Sequence, residues 1–524
     1  MVGLARRSGK KQHTPAAKKR NKRLRVVRLD GDSFTLEDLE AISSGQASLR
    51  IPPAARRKID AAARTVATAA QGDQPCYGIN TGFGRLCSVQ ISPAEVKKLQ
   101  LNLIRSHATG IGDPLAPEQV RLALALRANA LARGNSGIRI EVIELLIAML
   151  DEDVLPRIPR IGSVGASGDL APLSHLALVL VGEGEALVDG KWVSAKVALR
   201  RKRLKPIRLE AKEGLSLING VQVSLAMLTG AFLHAMATVD AADLCAAISL
   251  EGLLGSLQPF DARIHQSRPH PGQARVAASI RSLIQGSKIL TSHEGCDRVQ
   301  DPYSIRCTPQ VHGAVRDAMD WVLQVIVREA NSSTDNPLVF SEQDEVLSGG
   351  NFHGAPVAYA ADLLCIVLTD LASISERRTE KLINPDSNQG LPAFLARKEG
   401  LESGWMMAQV SAAALVSRMK VLSHPASVDS IVTSAGSEDH VSMSTHASEK
   451  AGDCADLAAQ VVAIELLIGM DAIEFRRPLR SGRRLEQRIR KLREVIPARR
   501  GDRVLSHEME EAAEVVRAGN IAVP

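Results

Sequence analysis

The 524-residue sequence predicts a mainly α-helical protein, a buried helical bundle whose loops build a site. Three observations predict it. Long segments repeat apolar residues at i, i+3, i+4 and i+7, with few alternating β-branched runs. Several of those segments are Ala-rich and apolar almost all round, so they must be covered on every side. The stretches between them concentrate Gly, Asn, Tyr and Gln, which suits a rigid scaffold that carries function on its connections.

From the N-terminus, residues 1–28 hold eleven Lys or Arg and no acid. The formal charge of +7 therefore belongs to this stretch, because the remainder sets 54 basic residues against 58 acidic ones. The stretch has no apolar core of the secretory kind and reads as a disordered basic tail, with contact to anionic partners as the functional alternative. The body of the chain gives no reason to expect nucleic acid. Residues 29–225 are read as an N-terminal region that carries the chemistry, and 226–524 as a C-terminal helical bundle region.

"SPAEVKKLQLNLIRSHATG" predicts a helix with Ser92 as N-cap and Pro93 at its first position, stopping near Gly110. "APEQVRLALALRANALARGNSG" predicts another, opened by Pro117 and closed before Gly134. Longer helices are expected in the segments beginning "VQVSLAML", "TPQVHGAV", "APVAYAAD" and "ADLAAQVV". No apolar run is expected to span a bilayer, which takes roughly 20 residues. The seven cysteines show no C-x-x-C pair and no grouping with His, so free thiols in a reducing cytoplasm are expected, and no metal. No Walker loop, G-x-G-x-x-G after a strand, or H-E-x-x-H occurs.

The stretch "GSVGASGDLAPLSH" at 162–175 has two chemical readings. Ser167 or Asp169 can cap the helix that follows. Alternatively, the Gly168 nitrogen, unhindered by a Cβ, bonds to the Ala166 carbonyl carbon and closes a five-membered ring. Loss of the Ala166 oxygen and the Ser167 hydroxyl as two waters then leaves a methylidene-imidazolone (MIO), an electrophile made without an external cofactor.

The surrounding motifs favour the second reading. "YGINTGFG" at 77–84, "SHATGIGDPL" at 106–115, "KEGLSLINGVQVS" at 212–224, "QDPYSIRC" at 300–307, "TDNPLVF" at 334–340, "GGNFHG" at 349–354, "LSHPASVDS" at 422–430 and "EDHVSM" at 438–443 occur in order. Over roughly residues 30–480 the chain resembles the aromatic amino-acid ammonia-lyases, the histidine-specific members most closely. The resemblance implies a fumarase/aspartase-like helical bundle, an MIO formed from Ala166, Ser167 and Gly168, and a homotetramer whose active sites draw loops from three subunits. It implies an elimination in which the electrophile captures the amine while a base removes the non-acidic β-proton.

By similarity that base is Tyr77, a phenol that needs neighbouring donors or positive charge to act below its ordinary pKa of about 10. Asn219 would bond the MIO carbonyl. Gln300, Tyr303 and Arg306 would form the strip that supports the MIO and clamps the substrate carboxylate, with Asn80 near that carboxylate and Phe352 over the ring. Ser106-His107 resembles the histidine-specific selector, with His107 facing an imidazole, which implies L-histidine turned into trans-urocanate and ammonia.

Two departures stand against that substrate. Where the histidine-specific pattern has an acid in "ALASENK", this chain has Arg418 in "ALVSRMK", and "SANQEDH" has become "SAGSEDH". Arginine only donates and stays charged, so Arg418 suits an anionic or acceptor-rich ring. A thiol-imidazole such as ergothioneine, tyrosine, or an aminomutase on the same scaffold are therefore alternatives. A non-catalytic paralogue is disfavoured because the proposed site residues are retained together.

Overall fold

The structure, a computed structural model, describes residues 24–72 and 74–519. Residues 1–23 of the expected tail lie outside the described residues. Its last four do not belong to a tail: Arg25–Arg28 is a strand, paired in parallel with Ala47–Arg50. The reason is local, since Val27 is buried in the core and Arg25 Nε reaches Asp38 Oδ1 at 2.6 Å.

Three long helices, Gln222–Gly252, Ala355–Ile383 and Ser444–Phe475, pack against one another at the centre. Thr308–Ala330, Pro271–Ile284 and Met406–Leu422 lie around them. Small residues let the central axes approach closely. A Cβ added at Gly469 would sit 2.7 Å from Ile248 Cγ2, inside the distance at which two carbons repel.

Two of these helices, Gln222–Gly252 and Ala355–Ile383, are long and apolar enough by composition to cross a bilayer, contrary to the sequence expectation. In the fold both are largely buried against other helices, which accounts for their apolar faces. The Gln222–Gly252 helix also runs across the expected division at 225/226. Among the described residues, four small sheets, none wider than three strands, decorate the bundle.

The Val96–His107 helix begins later than the sequence suggests, because Ser92 and Pro93 form a preceding turn in which the Ser92 hydroxyl meets Glu95. Pro117–Ala132 matches its expected start, and Gly134 follows it at φ +85°.

Several charges buried in the bundle are paired. Arg378 grips Glu465 through Nε and Nη2, and Ser249 and Ser375 donate to the same carboxylate. Glu251 has no paired cation: its carboxyl is met by the Ser287 hydroxyl, at 2.8 Å, and by the Ser481 hydroxyl, and burial pushes its pKa up to about 7.

A carboxyl raised from its ordinary 4.5 binds its proton more tightly folded than unfolded. Stability is therefore expected to fall as pH rises from about 4.5 to about 7, by up to about 3 kcal/mol from this group. Glu251→Gln keeps an acceptor for Ser287 and removes the charge. Thermal melts should show it stabilising at pH 8 and neutral at pH 5; equal effects at both would refute this assignment.

What matters for function is where the helices begin. Leu170–Leu180, Gln222–Gly252, Ala355–Ile383 and Ser444–Phe475 each start directly after one of the unusual loops. Asp169 ties three of these starts together: it accepts Ser224 N at 2.7 Å, the Ser224 hydroxyl, and Thr445 Oγ1 at 3.0 Å. The loops are thereby gathered at one end of the bundle.

Candidate active site

A cavity of about 760 Å³ opens at that end, lined among others by Tyr77, His107, Ser167, Asn219, Phe352 and Glu438. Its floor is the Ala166-Ser167-Gly168 turn. Ser167 has φ +53° and Gly168 φ +76°, the left-handed region that costs a side-chain-bearing residue energy. Neighbours on both sides hold the turn there. Asp169 N donates to Gly220 O at 2.7 Å, Asn219 Nδ2 donates to Ser167 O at 3.0 Å, and Gly168 N donates to Gly165 O at 3.3 Å. Asp169 does not cap the following helix with its side chain, as one sequence reading allowed, because its carboxylate is committed to Ser224 and Thr445.

The electrostatics beneath the turn are unusual. Arg127 is fully buried, and its Nη1 donates to Asn219 O and to Gln222 Oε1, each at 2.8 Å. Burial brings its pKa down to about 10, against the pull of Asp335. Asp335 in turn holds the buried Lys212 Nζ at 2.6 Å.

Tyr77 stands in the wall. Burial raises its pKa, opposed by the Gly84 N–H that points at its hydroxyl from 3.4 Å, while Cys87 and Glu438 add to the rise. His107 closes the Val96–His107 helix, with Nδ1 2.9 Å from Leu103 O. A carbonyl can only accept, so Nδ1 carries a proton, which in the neutral imidazole leaves the lone pair on Nε2. Glu438 Oε1 accepts the Ser167 hydroxyl at 3.1 Å, and its other oxygen accepts from Thr433 at 2.7 Å.

Of the residues singled out in the sequence, Tyr77, His107, Ala166, Ser167, Asn219 and Phe352 line this one cavity, with Gly168 buried behind it. The others do not. Asn80 turns away into its own loop, accepting Cys76 N at 2.7 Å and donating to Gln74 O at 3.0 Å, so it shapes the loop that presents Tyr77.

Gln300 and Arg306 line a separate pocket of about 330 Å³. Tyr303 is 70% exposed there, with the Arg306 guanidinium 4.5 Å over its ring. Arg418 lies on the exposed side of Met406–Leu422, outside the cavity. Ser437, by contrast, lines the cavity, so the "SAGSEDH" departure reaches its wall.

Glu438 and Arg127 were not read from the sequence as site residues. Glu438 lies inside "EDHVSM", where no local feature marks it as a site residue. Arg127 had one visible signal, a lone cation in the apolar run "LALALRANALA".

A mainly helical fold that collects its loops around one strained Ala-Ser-Gly turn defines a class, the carbon–nitrogen lyases of the helical type. The family model for aromatic amino acid lyases matches residues 34–494, and the chain belongs to that family. The histidine ammonia-lyase of Myxococcus xanthus (strain DK1622) is 48% identical over 495 residues, covering 94% of this chain and 97% of that protein. The crystal structure of histidine ammonia-lyase from Trypanosoma cruzi matches with a TM-score of 0.88 at 42% identity, over 95% of this chain and 94% of that one. The ergothioneine-degrading ergothionase of Treponema denticola matches with a TM-score of 0.90 at 27% identity, over 95% of this chain and 99% of that one.

Proposed function

We propose that this chain is a histidine ammonia-lyase, releasing ammonia from L-histidine and leaving trans-urocanate, with an MIO built from Ala166, Ser167 and Gly168. One observation carries the reading: Tyr77, His107, Ser167 and Glu438 line a single cavity whose floor is the strained turn. The 48% identity to a histidine ammonia-lyase over nearly the whole chain supports the same substrate.

The residues present fit the group. Asn219 Nδ2 already donates to the Ser167 carbonyl, the carbonyl that ring closure keeps within the five-membered ring, and Asn219 Oδ1 is buried without a partner. Gly168 lies so close to Gly220 that no side chain could stand there. When formed, the MIO supplies an electrophile for the substrate amine.

The chain's own residues do the rest. His107 Nε2 offers a lone pair to one imidazole N–H, and Glu438 offers a carboxylate within the same cavity. The acid missing at position 418 therefore does not leave the imidazole without an anionic partner. Tyr77 faces the cavity as the β-proton acceptor.

Arg306, Gln300 and Tyr303 complete the site from other copies in a homotetramer. The exposure of Gln300 and Tyr303 in the single chain supports this, as do the exposed Met407, Val410 and Val421 on Met406–Leu422. A cytoplasmic location belongs to the same reading.

Intact mass of the purified protein should lie two waters below the encoded sequence, and L-histidine should yield urocanate with equimolar ammonia. An unshifted mass would remove the MIO. Turnover of ergothioneine, L-tyrosine or L-phenylalanine in preference to L-histidine would replace the substrate.

A further inference from the structure

Residues 476–503 hold twelve Lys or Arg against three acids. The Arg483–Val495 helix at their centre buries Leu485, Ile489 and Leu492 and carries five arginines and a lysine among its other ten residues. Beside it opens a cavity of about 790 Å³ lined by Lys288, Arg477, Arg480, Arg483, Arg490 and Arg493, with Glu474 and Glu486 as its carboxylates. It shares no lining residue with the Ser167 cavity.

Those carboxylates are already engaged. Glu486 takes Arg477 at two points, 2.6 and 3.1 Å, and accepts Ser481 N at 2.8 Å. Glu474 stands 3.8 Å from Arg477 and 3.9 Å from Arg493, and Arg493 also turns to Asp471 at 3.3 Å. Arg480 reaches Glu486 only at 3.7 Å and is 70% exposed. Among the described residues, Lys288, Arg483 and Arg490 make no ion pair. Ser481 also lines the cavity, with its buried hydroxyl turned towards Glu251, which lies outside that lining.

This arrangement opposes itself. Arg483 and Arg484 occupy the first turn of a 13-residue helix, where the unpaired N–H groups already make the local potential positive and cations are disfavoured. No side chain caps that end. Folding alone gives no reason to converge unpaired guanidinia there, whereas an anion in the cavity would relieve the repulsion.

We propose that this cavity binds a phosphate-rich anion of nucleotide size, an oligophosphate or a nucleoside polyphosphate. Three unpaired cations call for more than the single charge of a monocarboxylate. Guanidinium forks match phosphate oxygens in pairs, and the volume falls in the range of small-molecule sites, about 300–1,000 Å³.

Isothermal titration of the full chain with tripolyphosphate and with ATP tests this, in the presence of saturating trans-urocanate, the proposed product, to keep the other cavity out of play. Both probes should bind, and Arg483→Glu/Arg490→Glu should weaken binding by about tenfold or more. Arg57→Glu/Arg64→Glu, an equal charge change outside the cavity, should stay within about twofold of wild type. Arg483→Gln/Arg490→Gln should reproduce most of the loss, which guards against a folding defect in the Glu pair.

Equal affinity for the two probes would assign the site to the phosphate chain, and tighter ATP would add a contact to the nucleoside. No binding, or equal weakening by both Glu pairs, would overturn the proposal. So would dissociation of the oligomer by the cavity variants without loss of binding, since the face would then be a subunit contact.

Discussion

Tyr77→Phe is expected to lower kcat with L-histidine by about 10²- to 10⁴-fold, the usual worth of a positioned acid–base group, while the two-water mass loss remains. The phenol is removed without disturbing the Ala-Ser-Gly turn, and the ring can keep its edge-on contact with Phe83, whose centroid is 6.3 Å away. The pH profile sharpens the test. Burial raises the Tyr77 pKa, and Cys87 and Glu438 push the same way.

A base with a raised pKa is mostly protonated at neutral pH, so its active fraction grows as pH climbs. kcat/KM should therefore rise on the alkaline side of neutrality, and the residual activity of Tyr77→Phe should lack that limb. Glu438→Gln removes one of the charges that raise the phenol and should move the limb to lower pH. A Tyr77→Phe enzyme with near-normal kcat would refute the role.

Gly168→Ala is expected to abolish the mass loss and with it turnover, and to destabilise the fold. The added Cβ would lie 2.3 Å from Gly220 O and 2.6 Å from Gly220 C, both backbone atoms that cannot swing aside. The position also has φ +76°, where a side chain is strained whatever the space. Relief requires the Asp169 N–Gly220 O bond at 2.7 Å to open, and that bond is part of what holds the turn.

Overlap of this kind costs about 1–3 kcal/mol in a packed interior, with the strained φ adding about as much again. Intact mass and a thermal melt read both effects. A fully dehydrated, wild-type-stable Gly168→Ala protein would show that this packing does not hold the turn.

The sequence was informative where chemistry is written in local strings. The Ala166-Ser167-Gly168 turn, Tyr77 and Asn219 could be picked out because each sits inside one of the ordered strings that carry the family resemblance. The helices were legible through their periodicity, as in Pro117–Ala132. Boundaries were less so. Ser92 and Pro93 satisfy every local rule for a helix start, yet they form a separate turn before it. Arg25–Arg28 reads as part of a uniform basic run until Ala47–Arg50 offers it a parallel partner.

By itself, then, the sequence determined the helical class, the family likeness and the identity of the strained turn, because each depends on residues adjacent in the chain or on periodicity. The tertiary structure decided which side chains meet. It turned Asn80 into its own loop and left Arg418 exposed on its helix in the single chain. It brought Glu438 onto Ser167 from 271 residues away, and put the Arg127 guanidinium beneath Asn219 across 92. Those contacts follow from how the central helices pack and where each begins, and no local pattern encodes such long-range distances.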